Sequence, residues 1–239
     1  MNSFLLETII TFNLNRPFIS LGKQPFYLIQ ELLNKPEFEE EHFSVAIQSM
    51  DPLCVLQKNS QNGMLTVAFS NDRIFLKLSY VDIPEQSKQF ELALSSINKI
   101  LLTLSDFLVL KWGVKGVSVF GNFMLLDVSR NMNAAKLIAD GIMRVGYLSD
   151  PKGIELKYNL QQKARDKSWV FDDYIRIFKA KFDGSVAGKM NPENVGIQRE
   201  IYFPIDPSKY TNLILSEFLD AVKSYFAESN IKGLINAGE

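Results

Sequence analysis

The sequence predicts an α+β protein in which amphipathic helices cover one face of an antiparallel or mixed β-sheet. Three observations carry that expectation. Apolar residues alternate with polar ones over many short segments, as half-buried strands require. Elsewhere they recur every three or four positions, as on the buried stripe of a helix. Finally, two strand-like segments each run into a proline and then a helical stripe: "RIFLKLSY" at 73–80 precedes Pro84, and "REIYFPID" at 199–206 precedes Pro207.

The elements follow in chain order. Phe4, Leu6, Ile10, Phe12 and Leu14 share one parity and Glu7, Thr11 and Asn13 the other, so the chain opens with a strand. "GKQPFYLIQELLNKP" places Phe26, Ile29, Leu32 and Leu33 at helical spacing, with Pro25 suited to the first turn and Pro36 as a stop. Alternation then returns in Phe43, Val45 and Ile47, in Leu65, Val67 and Phe69, and in Ile74, Leu76, Leu78 and Tyr80. Asn62-Gly63 and "SND" at 70–72 supply the turns of an antiparallel meander. Beyond Pro84, the stripe Phe90, Leu94, Ile97, Leu101 and Leu104 forms a helix able to cover the meander.

"FLVLKWGVKGVSVFGNFMLLDV" reads as two strands joined at Gly121-Asn122, and residues 133–145 as a helix stopped by Gly146. After the turn "DPKG" at 150–153, strands run through Ile154, Leu156, Tyr158 and Leu160 and from Trp169 to Phe182. In the second of these Tyr174, Arg176, Phe178, Ala180 and Phe182 share a face. "DGSVAGKMNPENVG" at 183–196 reads as a long loop, a kind of segment uncommon unless it binds or covers something. The last strand, "REIYFPIDP", leads to a helix capped by Asp206, with Pro207 in its first turn and Ile214, Phe218, Val222 and Tyr225 on its inner side.

Two strand-rich stretches, each closed by a helix, suggest two similar halves, 1–147 and 148–239, or one continuous domain. Their junctions differ in spacing, Asp82-Ile83-Pro84 against Asp206-Pro207, and any meander followed by a covering helix reads the same way.

Composition narrows the function classes. Lys and Arg total 26 against 27 Asp and Glu, which argues against the broad basic field of a nucleic-acid binder. No apolar run reaches the roughly 20 residues of a membrane helix. The N-terminus lacks a basic start and a small-residue cleavage site, so we expect a cytoplasmic protein without a membrane partner. Cys54, the single cysteine, reads as a small core residue, and His42, the single histidine, follows an acidic run. One His and one Cys cannot assemble a zinc site of nitrogen and sulfur ligands within one chain, and the expectation is neither metal nor cofactor. The glycines near Trp112 match no phosphate-loop spacing.

Candidate binding residues are basic. Lys111 and Lys115 flank Trp112 on the parity of Gly113, Lys179 and Lys181 alternate outward on the long strand, and Lys189 sits in the 183–196 loop. Such residues suit a phosphate or an acidic partner, and equally a wet strand face guarded against edge pairing. No residue is assigned as catalytic. The functional expectation is a non-catalytic interaction or assembly protein with a protein partner or self-association. Two alternatives stand beside it. One is a carrier of a small apolar ligand lined by some of the 18 phenylalanines. The other is a carboxylate-dependent enzyme near the 183–196 loop, drawing on Asp166, Asp172, Asp173 or Asp183, of which Asp172 and Asp173 point to opposite strand faces.

Overall fold

The computed structural model of the chain describes residues 2–17, 24–39, 43–47, 51–60, 63–80, 89–111, 113–126, 133–140, 155–163, 169–186, 189–190 and 193–236. The first part of the chain holds β1 (Asn2–Leu14), α1 (Gln24–Leu33), α2 (Pro36–Glu39), β2 (Ser44–Ile47), β3 (Cys54–Ser60), β4 (Gly63–Phe69), β5 (Arg73–Tyr80) and α3 (Gln89–Lys111). It continues with β6 (Val114–Leu126), α4 (Ala134–Ile138), β7 (Glu155–Lys163), β8 (Val170–Lys181), β9 (Ser185–Val186), β10 (Lys189–Met190), β11 (Glu193–Pro204), α5 (Asn212–Phe226) and α6 (Glu228–Asn236). His42, Pro84, Trp112, the 150–153 turn and Asp166 lie outside the described residues.

Nine strands make one sheet in the order β2-β3-β4-β5-β1-β6-β11-β8-β7, while β9 and β10 pair separately. Every neighbouring pair is antiparallel, so the architecture is α+β with a large antiparallel sheet. At its centre β1 lies against β6. The last strand of each meander returns to them, β5 to the free side of β1 and β11 to the free side of β6.

Alternation decides what each face carries. Ile10 and Phe12 on β1, Val117, Val119 and Phe123 on β6, Ile74 and Leu76 on β5, Ile175 and Ile177 on β8, and Ile197 and Ile201 on β11 join one buried core. α5 brings aromatic rings onto it: Phe218 stacks on Phe203 at 5.4 Å, and Phe226 meets Phe123 edge-on at 5.2 Å and Phe90 of α3 at 4.7 Å. Burying each such ring stabilises the fold by about 1.5–3 kcal/mol. α3 packs against β1 and α5, α4 against β8 and β11, and α6 against α5 and β1. Among the described residues no helix is long and apolar enough to cross a membrane.

Several elements depart from the sequence reading. Gly121-Asn122 makes no turn: residues 114–126 form one strand, and the apolar residues before them end α3 instead. Gly113, at φ 71°, closes that helix by donating to the Leu108 carbonyl. At Gly121 a Cβ would lie 2.5 Å from the Phe123 ring and 2.8 Å from Phe226, so the glycine admits the α5 rings rather than bending the chain. In β1 the register shifts between Leu5 and Glu7, which separates Phe4 from Ile10 despite their shared parity. Phe4 packs instead with Met124 and Leu126 in a second small cluster.

The 183–196 segment is not a long loop, since it contains β9, β10 and the start of β11. On β8 the odd residues Phe171, Asp173, Ile175 and Ile177 are the buried ones, and the even set that includes Tyr174 and Arg176 lies on the other face. At the C-terminal helix the cap is Thr211, whose hydroxyl accepts from the Ile214 amide, whereas Asp206 accepts from the amide and hydroxyl of Ser208 in a preceding turn. α6 follows α5 without having been expected. The helix expected over 133–145 is described as α4, capped by Asn133, and residues beyond 140 lie outside the description.

Candidate functional site

The face of the sheet opposite the main core is built by register. Reading across β6, β11, β8 and β7, one row contains Phe120, Glu200, Tyr174 and Asn159, and the next Asn122, Gln198, Arg176 and Lys157. A third row contains Ser118, Tyr202, Asp172 and Gln161. These positions alternate with the core residues of the same strands, so they face away from the core. Aromatic and charged side chains from four strands therefore meet on one surface. Phe120, Arg176, Gln198 and Glu200 are half-buried and Tyr174 is 41% exposed.

A shallow cavity of about 240 Å³ opens there, lined by Phe120, Lys157, Tyr174, Arg176, Gln198 and Glu200, and bordered by Tyr158 and Ile175, which belong to the core-facing parity. Arg176 is the best-held side chain around it. Its Nε donates to Glu155 Oε1 at 2.7 Å and its Nη1 to Gln198 Oε1 at 3.1 Å, while the guanidinium lies 4.7 Å from the centre of the Phe178 ring. Lys157 also reaches Glu155, at 3.0 Å. Hydrogen bonds from Lys157 and Arg176 hold the Glu155 carboxyl below its ordinary range. Exposed pairs of this kind are screened by solvent and add little stability, so their main effect is to fix where Arg176 points.

Rings on this face lie over glycines. A Cβ on Gly116 would come within 2.6 Å of the Tyr202 hydroxyl, and one on Gly196 within 2.6 Å of the Phe178 ring. Those two positions bring aromatic rings down onto the backbone of neighbouring strands. Burial raises the Tyr202 phenol above its usual pKa, and the nearby Asp172 carboxylate and Tyr174 raise it further. Farther along the sheet Lys77 pairs with Glu7 at 2.5 Å. Positive and negative groups thus interleave across the whole surface.

The expected binding residues are spread over α3, β6, β8 and β10. Lys111 ends α3 and Lys115 is exposed on β6, so the two belong to different elements, with Trp112 between them outside the described residues. Lys179 is half-buried in an ion pair with Glu193, not turned outward, and Lys181 is exposed at the end of β8. Lys189 lies in β10. Lys115 sits beside the Gly116–Pro204 pair and Lys179 opposite Val195, nine residues away along β11. At ~3.3 Å per residue that is about 30 Å, too far for one phosphate or one acidic side chain to bridge the two.

The carboxylate candidates separate as well. Asp173 is fully buried on the core face, where Arg199 Nη2 and Nε donate to it at 2.6 and 2.9 Å. Arg199 also donates to the Tyr225 carbonyl at 2.8 Å and lies over the Tyr225 ring. This interlocked pair ties β8, β11 and α5 together. Asp172 points to the opposite face, as the strand reading expects, and Asp183 is exposed. Among the described residues no three His, Cys, Asp or Glu side chains converge as a metal site. Cys54 is buried, and its thiol is pushed up to about 11 by that burial.

Sequence reasoning grouped Tyr174 with Arg176 but missed Phe120, Lys157, Gln198 and Glu200. The usable signal was the odd series Phe171, Ile175 and Ile177, which marks the even residues of that strand as the second face. No family model matches this chain, and the search of curated proteins gives no match.

Proposed function

We propose that the chain is a non-catalytic interaction protein of the cytoplasm, with its helices on one side of the sheet and a protein partner received on the other, over β6, β11, β8 and β7. The cavity beside Arg176 carries the reading. At about 240 Å³ it falls below the roughly 300–1,000 Å³ of small-molecule sites, and it suits a single apolar side chain. Aromatic walls around a positioned arginine are the composition of interface hot spots. Charges of both signs around it suit a protein anchor residue flanked by mixed charge, and they disfavour a polyanionic strand.

The alternatives draw less support. A second cavity, about 330 Å³ between α3 and α5, is lined mostly by polar groups such as Glu91, Asn98, Asp220 and Lys223, a poor lining for an apolar ligand. For an enzyme, Asp173 is engaged by Arg199 and Asp172 faces away from it.

The strand order also supports an internal duplication. In each half a central strand is followed by a helix, a meander whose last strand returns to it, and a long helix: β1 through α3, then β6 through α5. This reading divides the chain between α3 and β6 rather than near 147.

Site-specific photo-crosslinking tests the proposed surface. A crosslinker at Tyr174 should capture a discrete partner, Arg176→Ala should weaken that capture, and a crosslinker at Leu213, exposed on α5, should not reproduce it. Capture from position 213 alone, or capture indifferent to Arg176, would remove the reading.

A further inference from the structure

We propose that two copies of this chain associate edge to edge through β7, pairing antiparallel about a two-fold axis at Asn159 and joining two nine-stranded sheets. Among the described residues β7 ends the sheet and pairs only with β8. Along its nine residues the backbone donors and acceptors of alternate residues point away from β8, whereas the opposite edge strand, β2, has four residues in all. Long edges are templates for further pairing unless something blunts them. β7 contains no proline and carries Leu160 at 46% exposure.

Symmetry restricts the register. A two-fold antiparallel pair keeps each sheet face continuous, so opposed residues must share parity. Centring on Asn159 opposes all nine residues. It sets Glu155 against Lys163 at both ends, Tyr158 against Leu160 twice, and Lys157 against Gln161. Centring on Leu160 instead sets Lys157 against Lys163, like charges that destabilise a cross-strand pair. Centring on Tyr158 leaves Gln162 and Lys163 without opposites. Length and charge therefore select the same register. In it the exposed Leu160 is covered by the partner's Tyr158, whose counterpart in each chain already packs against the main core.

This association uses the sheet edge, though Glu155 and Lys157 also border the Arg176 face proposed above. Lys163→Glu leaves that face untouched, so it is the variant that separates the two readings. A single strand pair buries less than the ~1,600 Å² of a standard stable interface, so the association is expected in the micromolar range. Sedimentation from about 1 to about 200 µM should show the wild-type chain rising toward twice the monomer mass. Lys163→Glu, which sets glutamate against Glu155 at both ends, should weaken the dimer about tenfold or more, and adding Glu155→Lys should restore it. Hydrogen exchange on the unaltered protein should show residues 155–163 gaining protection as concentration rises. A wild-type monomer throughout, a dimer indifferent to Lys163→Glu, a double variant without rescue, or unchanged β7 exchange in the dimer would each overturn the proposal.

Discussion

Replacing Arg199 with leucine tests how the two halves of the β11–β8 region are held. Asp173 is fully buried, and its two closest donors are Nε and Nη2 of Arg199, at 2.9 and 2.6 Å; the other, Gln162, stands at 3.4 Å. Arg199→Leu removes both close donors and also the bond to the Tyr225 carbonyl, leaving a carboxylate in an apolar core. Removing one member of a buried pair costs about 3–5 kcal/mol, a large part of the roughly 5–15 kcal/mol stability of a typical domain. Replacing both members removes the stranded charge, so Asp173→Leu with Arg199→Leu should be more stable than Arg199→Leu alone by about 2 kcal/mol or more. Equilibrium urea unfolding, followed by circular dichroism, reads both differences. The reasoning fails if Arg199→Leu costs under about 1 kcal/mol, or if the second substitution adds its own cost instead of relieving the first.

Gly121→Ala should destabilise the fold by about 1–3 kcal/mol, read as a lowered thermal midpoint, because the added Cβ meets the Phe123 and Phe226 rings at 2.5 and 2.8 Å. Glu155 is a carboxylate whose folded pKa is depressed, so its contribution is present above the unfolded value of about 4.3 and lost as pH falls through the lower folded value. The stability gap between wild type and Glu155→Gln should therefore close on acidification, and a gap constant with pH would contradict the Lys157 and Arg176 contacts. Cys54, buried and with its thiol raised to about 11, should react with a thiol reagent only as the protein unfolds. Fast labelling under native conditions would show that β3 opens readily.

The particular elements show what local pattern can and cannot say. The stripe of Phe90, Leu94, Ile97, Leu101 and Leu104 and the alternation of Ile74, Leu76 and Leu78 were legible because helix and strand periods are properties of neighbouring residues. β6 was misread because its residues are buried on both faces over much of their length, which erases the alternation, and Gly121-Asn122 then resembles a turn. The reason for that glycine is Phe226, on a helix far along the chain. The basic strip around Trp112 assumed one strand throughout, whereas Lys111 closes α3 and Lys115 lies in β6.

The candidate face was legible only in fragments. Tyr174 and Arg176 could be grouped from one strand, but Phe120, Gln198, Glu200 and Lys157 join them through the registers of three other strand pairs. By itself the sequence determined an α+β chain of strands and covering-type helices, with balanced charge and few reactive side chains, since composition and periodicity are local quantities. Only the tertiary structure decided the central β1–β6 pairing, the bulge that parts Phe4 from Ile10, the burial of Asp173 with Arg199, and the place of β7 at the end of the strand order. Each of these depends on which distant strand lies alongside, and one residue of register moves every side chain to the other face.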